Sequence, residues 1–254
     1  MQPDHALFAE QLRRGDTLIG TLVGFNNSAV VELLAGCGYD WLFLDAEHGA
    51  FMPGECLTLL QAAAPCPCLI RVPAAEPVWV KKALDTGASG IIVPQVHDAA
   101  DAQRMVAAAK YAPAGNRGVG VGRAHAYGPG FGRYLATAND ETLVVLQAES
   151  RAAIDNIDEI TAVPGIDAIL IGPYDLSASL GHIGNVEHAE VIEAIDTVAG
   201  ACRQTGIKLG IFGITPEAVR PYMDRGFTLI TVGVDSLFLN QAAGEALNAL
   251  RDKQ

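Results

Sequence analysis

Two acid-bearing motifs each close an apolar run: Gln147-Ala148-Glu149 follows Leu143-Val144-Val145-Leu146, and Gly172-Pro173-Tyr174-Asp175-Leu176 follows Ala168-Ile169-Leu170-Ile171. Continuous aliphatic runs of this length read as strands of a parallel sheet covered on both faces. Carboxylates at the carboxyl ends of neighbouring strands can converge on one ion. Glu and Asp with no Cys or His pair beside them are hard oxygen ligands, so the ion they suit is Mg²⁺, Mn²⁺ or Co²⁺ and not a structural Zn²⁺.

Other reactive residue types stand in equivalent places. Asp45-Ala46-Glu47-His48-Gly49 follows the run ending at Leu44, and Arg71 lies inside Cys68-Leu69-Ile70-Arg71-Val72. A single acid after a strand often only solvates its loop, and Asp45 and Glu47 are each open to that reading. Arg71 is harder to dismiss, because a guanidinium near a buried strand is costly unless it faces an anion. His48 stands three residues beyond Asp45 on the same side, and an imidazole titrates near neutrality, as a general base requires. Asp175 doubles as a candidate helix cap, and Asp235 reads as the cap of the last helix. His5, His97, His182 and His188 read as solvated. His125 and Tyr127 fall in a long loop where a lid or a subunit contact is expected.

Elements that would position these groups can be read from periodicity. Strands are expected near 17–23, 41–44, 68–72, 90–94, 143–149, 167–171, 207–212 and 228–233, with helices near 28–37, 54–64, 77–86, 98–110, 151–161, 187–205, 215–224 and 235–250, and one more at 5–13. Regular alternation of eight strands with helices is the signature of an α/β (β/α)₈ TIM barrel with an extra N-terminal helix. No linker or internal repeat divides the chain, so one domain over 1–254 is expected. In such barrels catalysis gathers on the loops after the strands. Asp45, His48, Arg71, Gln147, Glu149 and Asp175 all fall there. One connection, about Tyr111 to Asp140, is longer than the rest and carries Gly115-Asn116-Arg117-Gly118-Val119-Gly120-Val121-Gly122; it comes after a helix, so it is no dinucleotide fingerprint.

Bulk properties narrow the function class. A formal charge of −12 disfavours nucleic acid, which needs clustered Lys and Arg. No apolar stretch approaches a membrane span, and Met1-Gln2-Pro3-Asp4-His5 has no basic-then-apolar leader, so a cytoplasmic protein is expected. Cys37, Cys56 and Cys202 fall in apolar helical stretches and read as buried free thiols. Cys66-Pro67-Cys68 has the wrong spacing for zinc and reads as a loop entering a strand. The chain has lysines at 81, 82, 110, 208 and 253. None stands after a strand, where an imine-forming lysine would be needed, which disfavours Schiff-base chemistry.

Taken together, Asp45-Ala46-Glu47-His48-Gly49, Ile70-Arg71-Val72-Pro73, Ala83-Leu84-Asp85-Thr86-Gly87, Gly115-Asn116-Arg117-Gly118-Val119-Gly120, Gln147-Ala148-Glu149 and Ile171-Gly172-Pro173-Tyr174-Asp175-Leu176-Ser177 resemble the HpcH/HpaI family of metal-dependent pyruvate aldolases. The resemblance runs in order from about residue 8 to 240. It implies a (β/α)₈ barrel, usually hexameric, that cleaves or forms 4-hydroxy-2-oxo acids with a divalent ion (Mg²⁺, Mn²⁺ or Co²⁺), the partners being a 2-oxo acid and an aldehyde. By position it implies Glu149 and Asp175 as metal ligands, Gln147 and the Gly172-Pro173-Tyr174-Asp175 turn as substrate-binding through the Tyr174 amide, His48 as general base, and Arg71 as the group that stabilises the enolate; Asp45, from its place after the second strand, is a further catalytic candidate. Asp85 matches an acid that supports the His. Yet it ends a helix running antiparallel to the strands, so within its own subunit it belongs at the opposite face and a neighbouring subunit would have to supply it. The chain departs from relatives at Gly49-Ala50-Phe51, which leaves the aldehyde open. The rivals are an oxaloacetate or other 2-oxo acid decarboxylase on the same site and a non-catalytic barrel that binds a small acid.

Overall fold

The computed structural model describes residues 3–251; Met1 and Gln2 at the start and Lys253 in the tail lie outside the described residues. Eight parallel strands, β1 (Leu18–Val23), β2 (Trp41–Asp45), β3 (Cys68–Arg71), β4 (Gly90–Val93), β5 (Leu143–Ala148), β6 (Ala168–Ile171), β7 (Lys208–Gly213) and β8 (Leu229–Val234), pair in chain order and close on one another. The helices are α1 (His5–Arg14), α2 (Ser28–Gly36), α3 (Cys56–Ala63), α4 (Pro77–Asp85), α5 (Ala99–Ala109), α6 (Phe131–Glu141), α7 (Arg151–Asp155), α8 (Ile157–Thr161), α9 (Pro173–Ser179), α10 (Ala189–Thr205), α11 (Pro216–Met223) and α12 (Asp235–Arg251). The expected (β/α)₈ barrel with an N-terminal helix is the observed architecture.

Alternate residues of each strand serve two cores. Leu42, Leu44, Ile70, Val144 and Ile169 pack outward under the helices, while Trp41, Phe43, Leu69, Ile92, Val145 and Leu170 fill the barrel interior. This double burial is why the strands read as unbroken apolar runs. Large and small residues interlock inside: a Cβ on Gly20 would lie 2.5 Å from the Trp41 indole, so only glycine leaves room for that ring. Helix α1 plugs the amino end. Asp4 caps it by accepting the Leu7 amide at 3.0 Å, and its buried Phe8, Ala9 and Leu12 join the interior core.

Several expectations change. The helix expected at 151–161 breaks into α7 and α8 at Asn156, whose backbone (φ −109°, ψ 14°) is not helical. The long connection contains α6, and it wraps the amino end of the barrel instead of covering the carboxyl end. Arg123 donates to Thr86 O at 3.0 Å just beyond α4, and His125 is fully buried against Tyr111, Phe131 and Tyr134. That placement rules out a lid role for His125. Cys37 is exposed, while Cys56 and Cys202 are buried as expected, and all five thiols are free. His5 is bonded to Ser89 Oγ at 2.9 Å and is not simply solvated. Asp235 does more than begin α12: it accepts the amides of Gly24 at 3.1 Å and Phe25 at 2.9 Å, tying the loop after β1 to the last helix. Beyond that anchor α12 leaves the barrel, with Leu239 63% and Leu250 76% exposed. Among the described residues no helix is long and apolar enough to cross a membrane.

Candidate active site

Strand register brings the first pair together. Asp45 ends β2 opposite Arg71 at the end of β3, and the carboxylate accepts both arms of the guanidinium, Nε–Oδ1 at 2.8 Å and Nη2–Oδ2 at 2.7 Å. Both side chains are buried, and Phe43 lies under the guanidinium at 5.2 Å. Burial opposes the charge on Arg71, but the hydrogen bonds and field of Asp45, with Glu47 and Glu149 nearby, leave it more basic than usual. Its remaining arm, Nη1, pairs with Glu47 Oε2 at 3.2 Å and lies 3.5 Å from Gln147 Oε1. Asp45 Oδ1 also accepts the Glu47 and His48 amides at 3.1 and 3.3 Å, which folds the loop after β2 into a tight turn. That turn puts the exposed His48 at the rim with Nε2 3.8 Å from Glu47 Oε2.

Strands β5 and β6 deliver the acids. Gln147 and Glu149 are buried, and Gln147 Nε2 makes a short contact with Glu149 Oε2. The other carboxylate oxygen, Oε1, accepts the Gln95 amide at 2.7 Å. Gln95 holds a left-handed backbone, φ 55°, that turns its N–H inward, while its side chain donates to Glu47 Oε1 at 3.1 Å. Burial, followed by the fields of Glu47 and Asp175, pushes the Glu149 carboxyl up to about 7 despite the Gln95 bond. Burial likewise raises Glu47. Glu47 Oε2 is buried and is held by the Arg71 ion pair at 3.2 Å with no well-directed hydrogen bond. Such a set of crowded, partly unsatisfied carboxylates is the donor chemistry of a divalent cation site.

Gly172 permits the close approach: a Cβ there would lie 2.7 Å from Gln147 Nε2 and 3.2 Å from Glu149 Oε2. Pro173 opens α9 at its first position, so Asp175 sits inside the first turn and is not the cap, a role that falls to Gly172. Within that turn the first intrahelical bond is Leu176 N–H to Gly172 O at 3.0 Å, which leaves the Tyr174 and Asp175 amides turned to the open end of the helix. A cavity of about 340 Å³ opens beside these groups. Asp45, His48, Arg71, Gln147 and Asp175 line its polar side, and Leu22, Phe43, Phe212 and Val234 its apolar side.

Of the residues expected at the site, the fold gathers Asp45, His48, Arg71, Gln147, Glu149, Gly172, Pro173, Tyr174 and Asp175 at the carboxyl ends of β2, β3, β5 and β6. Asp85 is not brought there: it pairs with Arg117 at 2.9 Å beyond the end of α4. Glu47 and Gln95 are the neighbours that sequence reasoning undervalued. Glu47 was visible as a second acid after β2, whereas nothing about Gln95 announces that its amide faces a carboxylate. Among the described residues the lysines stay away from this end. Lys110 donates at 2.7 Å to Asn139 O and Thr142 O, and Lys208 begins β7.

The sequence profile of the HpcH/HpaI aldolase/citrate lyase family matches residues 19–242. The chain is 38% identical over 247 residues to a hydroxypyruvate/pyruvate aldolase of Roseovarius nubinhibens, covering 94% of this chain and 95% of that protein. It is 40% identical over 247 residues to a 4-hydroxy-2-oxo-heptane-1,7-dioate aldolase of Escherichia coli, covering 95% and 93%. A crystal structure of an HpcH/HpaI aldolase/citrate lyase family protein from Burkholderia cenocepacia superposes with a TM-score of 0.92 at 37% identity, over 97% of this chain and 99% of that one. Sequence over nearly the whole length and the barrel itself lead to the same place: this chain belongs to the HpcH/HpaI aldolase/citrate lyase family.

Proposed function

We propose that this protein is a metal-dependent pyruvate aldolase that reversibly cleaves 4-hydroxy-2-oxo acids to pyruvate and an aldehyde. The observation that carries the reading is one buried guanidinium, Arg71, set with Glu47, Glu149 and Asp175 beside a single cavity. Relatives named as aldolases of hydroxypyruvate, pyruvate and 4-hydroxy-2-oxo-heptanedioate support the same reaction class.

In this reading Glu149 and Asp175 would hold Mg²⁺, Mn²⁺ or Co²⁺, and Glu47, ion-paired to Arg71, adds negative charge beside them. When bound, the ion would polarise the 2-oxo group and share the negative charge that develops there. Gln147 and the open amides of Tyr174 and Asp175 orient the substrate carboxylate. His48 takes the proton of the C4 hydroxyl as the C3–C4 bond breaks. The C4 oxygen leaves as aldehyde, and the electron pair passes through C3 to the pyruvate enolate, whose charge Arg71 stabilises. Water protonates C3, and His48 gives up the proton it took, which yields pyruvate and restores the base. Asp45 holds the guanidinium fork in place, so that Nη1, paired here with Glu47, is the arm that a substrate would take over.

His48 has no acid from its own α4 beside it, and Asp85 is about one-third exposed where it meets Arg117. Asp85 acting on the His48 of a neighbouring copy in a homo-oligomer, a hexamer by resemblance, reconciles those facts, and the exposed apolar residues of α12 support association. Turnover of a panel of 4-hydroxy-2-oxo acids with Mg²⁺ or Mn²⁺, read as pyruvate release, tests the function. Cleavage of oxaloacetate alone would favour the decarboxylase, and no turnover of any panel member would overturn the aldolase.

A further inference from the structure

Gln95, which no motif announces, holds two of the site's acids at once. Strand β4 ends at Val93 and α5 begins at Ala99, so Pro94 to Asp98 form a short loop at the end of the barrel that carries Glu149 and Asp175. Within that loop Gln95 is left-handed, with φ 55°. A side chain in this region crowds its own backbone, and the conformation lasts only where the surroundings enforce it. Val93 and Val96 enforce it by burying themselves in the outer core on either side of Gln95. Further along, His97 Nδ1 meets Ser150 Oγ at 3.1 Å, and Asn156 donates to His97 O at 3.0 Å.

The enforced turn aims both amides of Gln95. Its backbone N–H donates to Glu149 Oε1 at 2.7 Å, and its side-chain Nε2 donates to Glu47 Oε1 at 3.1 Å. We infer that Gln95 is a positioning residue of the ion site, fixing Glu149 through its backbone and withholding Glu47 through its side chain. The inference rests on the reading of Glu149 as a metal ligand. With Oε1 held on the β4 side, Oε2 lies against Gly172, on the side of the turn that carries Asp175. A carboxylate with one oxygen committed to an N–H offers the other as a single, oriented donor. Glu47 is treated in the opposite way. Gln95 takes its Oε1 and Arg71 Nη1 takes its Oε2 at 3.2 Å, so the acid serves as counter-charge to the guanidinium and stays out of the ion's ligand set. Glycine would adopt the same backbone more readily, but it lacks the second amide.

The test reads Mn²⁺ affinity of the ion-stripped full chain by titration calorimetry, with no turnover involved. Gln95→Val disfavours the left-handed backbone and should swing the amide off Glu149, weakening Mn²⁺ binding at least about tenfold, the scale of losing a ligand's supporting partner. Gln95→Gly keeps the amide in place and releases Glu47, so it should bind Mn²⁺ at least as tightly as wild type. A residue that only packed its loop would give the reverse order, because glycine deletes the most. Gln95→Asn, whose short polar side chain tolerates the left-handed region, should side with glycine. Circular dichroism checks that each variant is folded; should Gln95→Val fail to fold, the Gly and Asn variants still decide. Weaker binding in Gln95→Gly, or wild-type binding in a folded Gln95→Val, would overturn the inference and leave the ion site standing. Mn²⁺ binding that Glu149→Gln does not alter would instead overturn the ion site, and the inference with it.

Discussion

Asp45 and Arg71 face each other in register across β2 and β3 and meet through a two-armed hydrogen bond at 2.8 and 2.7 Å, both buried. The pairing leaves one guanidinium arm, Nη1, directed at Gln147 and Glu47. A point charge cannot reproduce this, because only the planar fork can bind Asp45 with one edge and present another donor to a substrate.

Replacing Arg71 by Ala should therefore lower kcat by on the order of 10²-fold or more, the scale of losing an oxyanion donor, with poor rescue by Lys. The same variant should lose exchange of pyruvate methyl protons with solvent, which reports enolate formation without any aldehyde. A raised KM with kcat and exchange intact would show that Arg71 only holds the substrate.

Chelation should abolish pyruvate release, and Glu149→Gln or Asp175→Asn should do the same with the far-ultraviolet circular dichroism unchanged. Full activity in protein shown by metal analysis to be ion-free would exclude the metal mechanism.

The ion-free protein should also show a pH dependence traceable to one residue. The Glu149 carboxyl is pushed up to about 7 in the folded chain, from 4.5, chiefly by burial. The folded state therefore keeps a proton that the unfolded chain has released, and stability falls as pH rises between those values, by about 3 kcal/mol in all. Melting temperatures of ion-free wild type and Glu149→Gln should diverge across that window, with the variant flatter. Added Mg²⁺ should restore the wild type at neutral pH. Parallel curves for the two proteins would contradict the assignment.

Gly172→Ala is expected to act through crowding alone. Its methyl would sit 2.7 Å from Gln147 Nε2 and 3.2 Å from Glu149 Oε2, so these side chains must move. If the displaced side chains must return to bind the ion, the cost of roughly 1–3 kcal/mol for such overpacking falls on the ion-bound state and lowers ion affinity by about tenfold or more. Wild-type affinity for Mn²⁺ in this variant would show that the two acids need not approach so closely.

Asp85 offers a test of shared sites. If it serves a neighbouring copy, mixing inactive His48→Ala with inactive Asp85→Ala subunits should restore part of the activity, because some sites regain both residues. No recovery after subunit exchange is proven by mass, or a fully active monomer, would end the idea.

The fold was legible because a barrel strand is buried on both faces: runs such as Leu143–Leu146 and Ala168–Ile171 are apolar without interruption, and counting them gives eight. Residues placed directly by strand ends were legible for the same reason. Arg71, Gln147 and Asp45 end or nearly end their strands, so the local pattern fixed their face. Connections that leave a helix were harder to read. The long one after α5 contains helix α6 and turns to the amino end because Arg123 and His125 bury themselves there, a choice made by packing partners remote in the chain.

Sequence by itself determined the eightfold βα alternation, the face on which the acids, the imidazole and the guanidinium lie, and the separation of Asp85 from them. Only the tertiary structure decided which groups touch. Asp45 takes the Arg71 fork and not the imidazole, the left-handed Gln95 turns an amide onto Glu149, and His182 stacks on His188. Periodicity fixes where a side chain begins to within a residue or so, whereas a hydrogen bond is settled by fractions of an ångström that depend on the closing of the whole barrel.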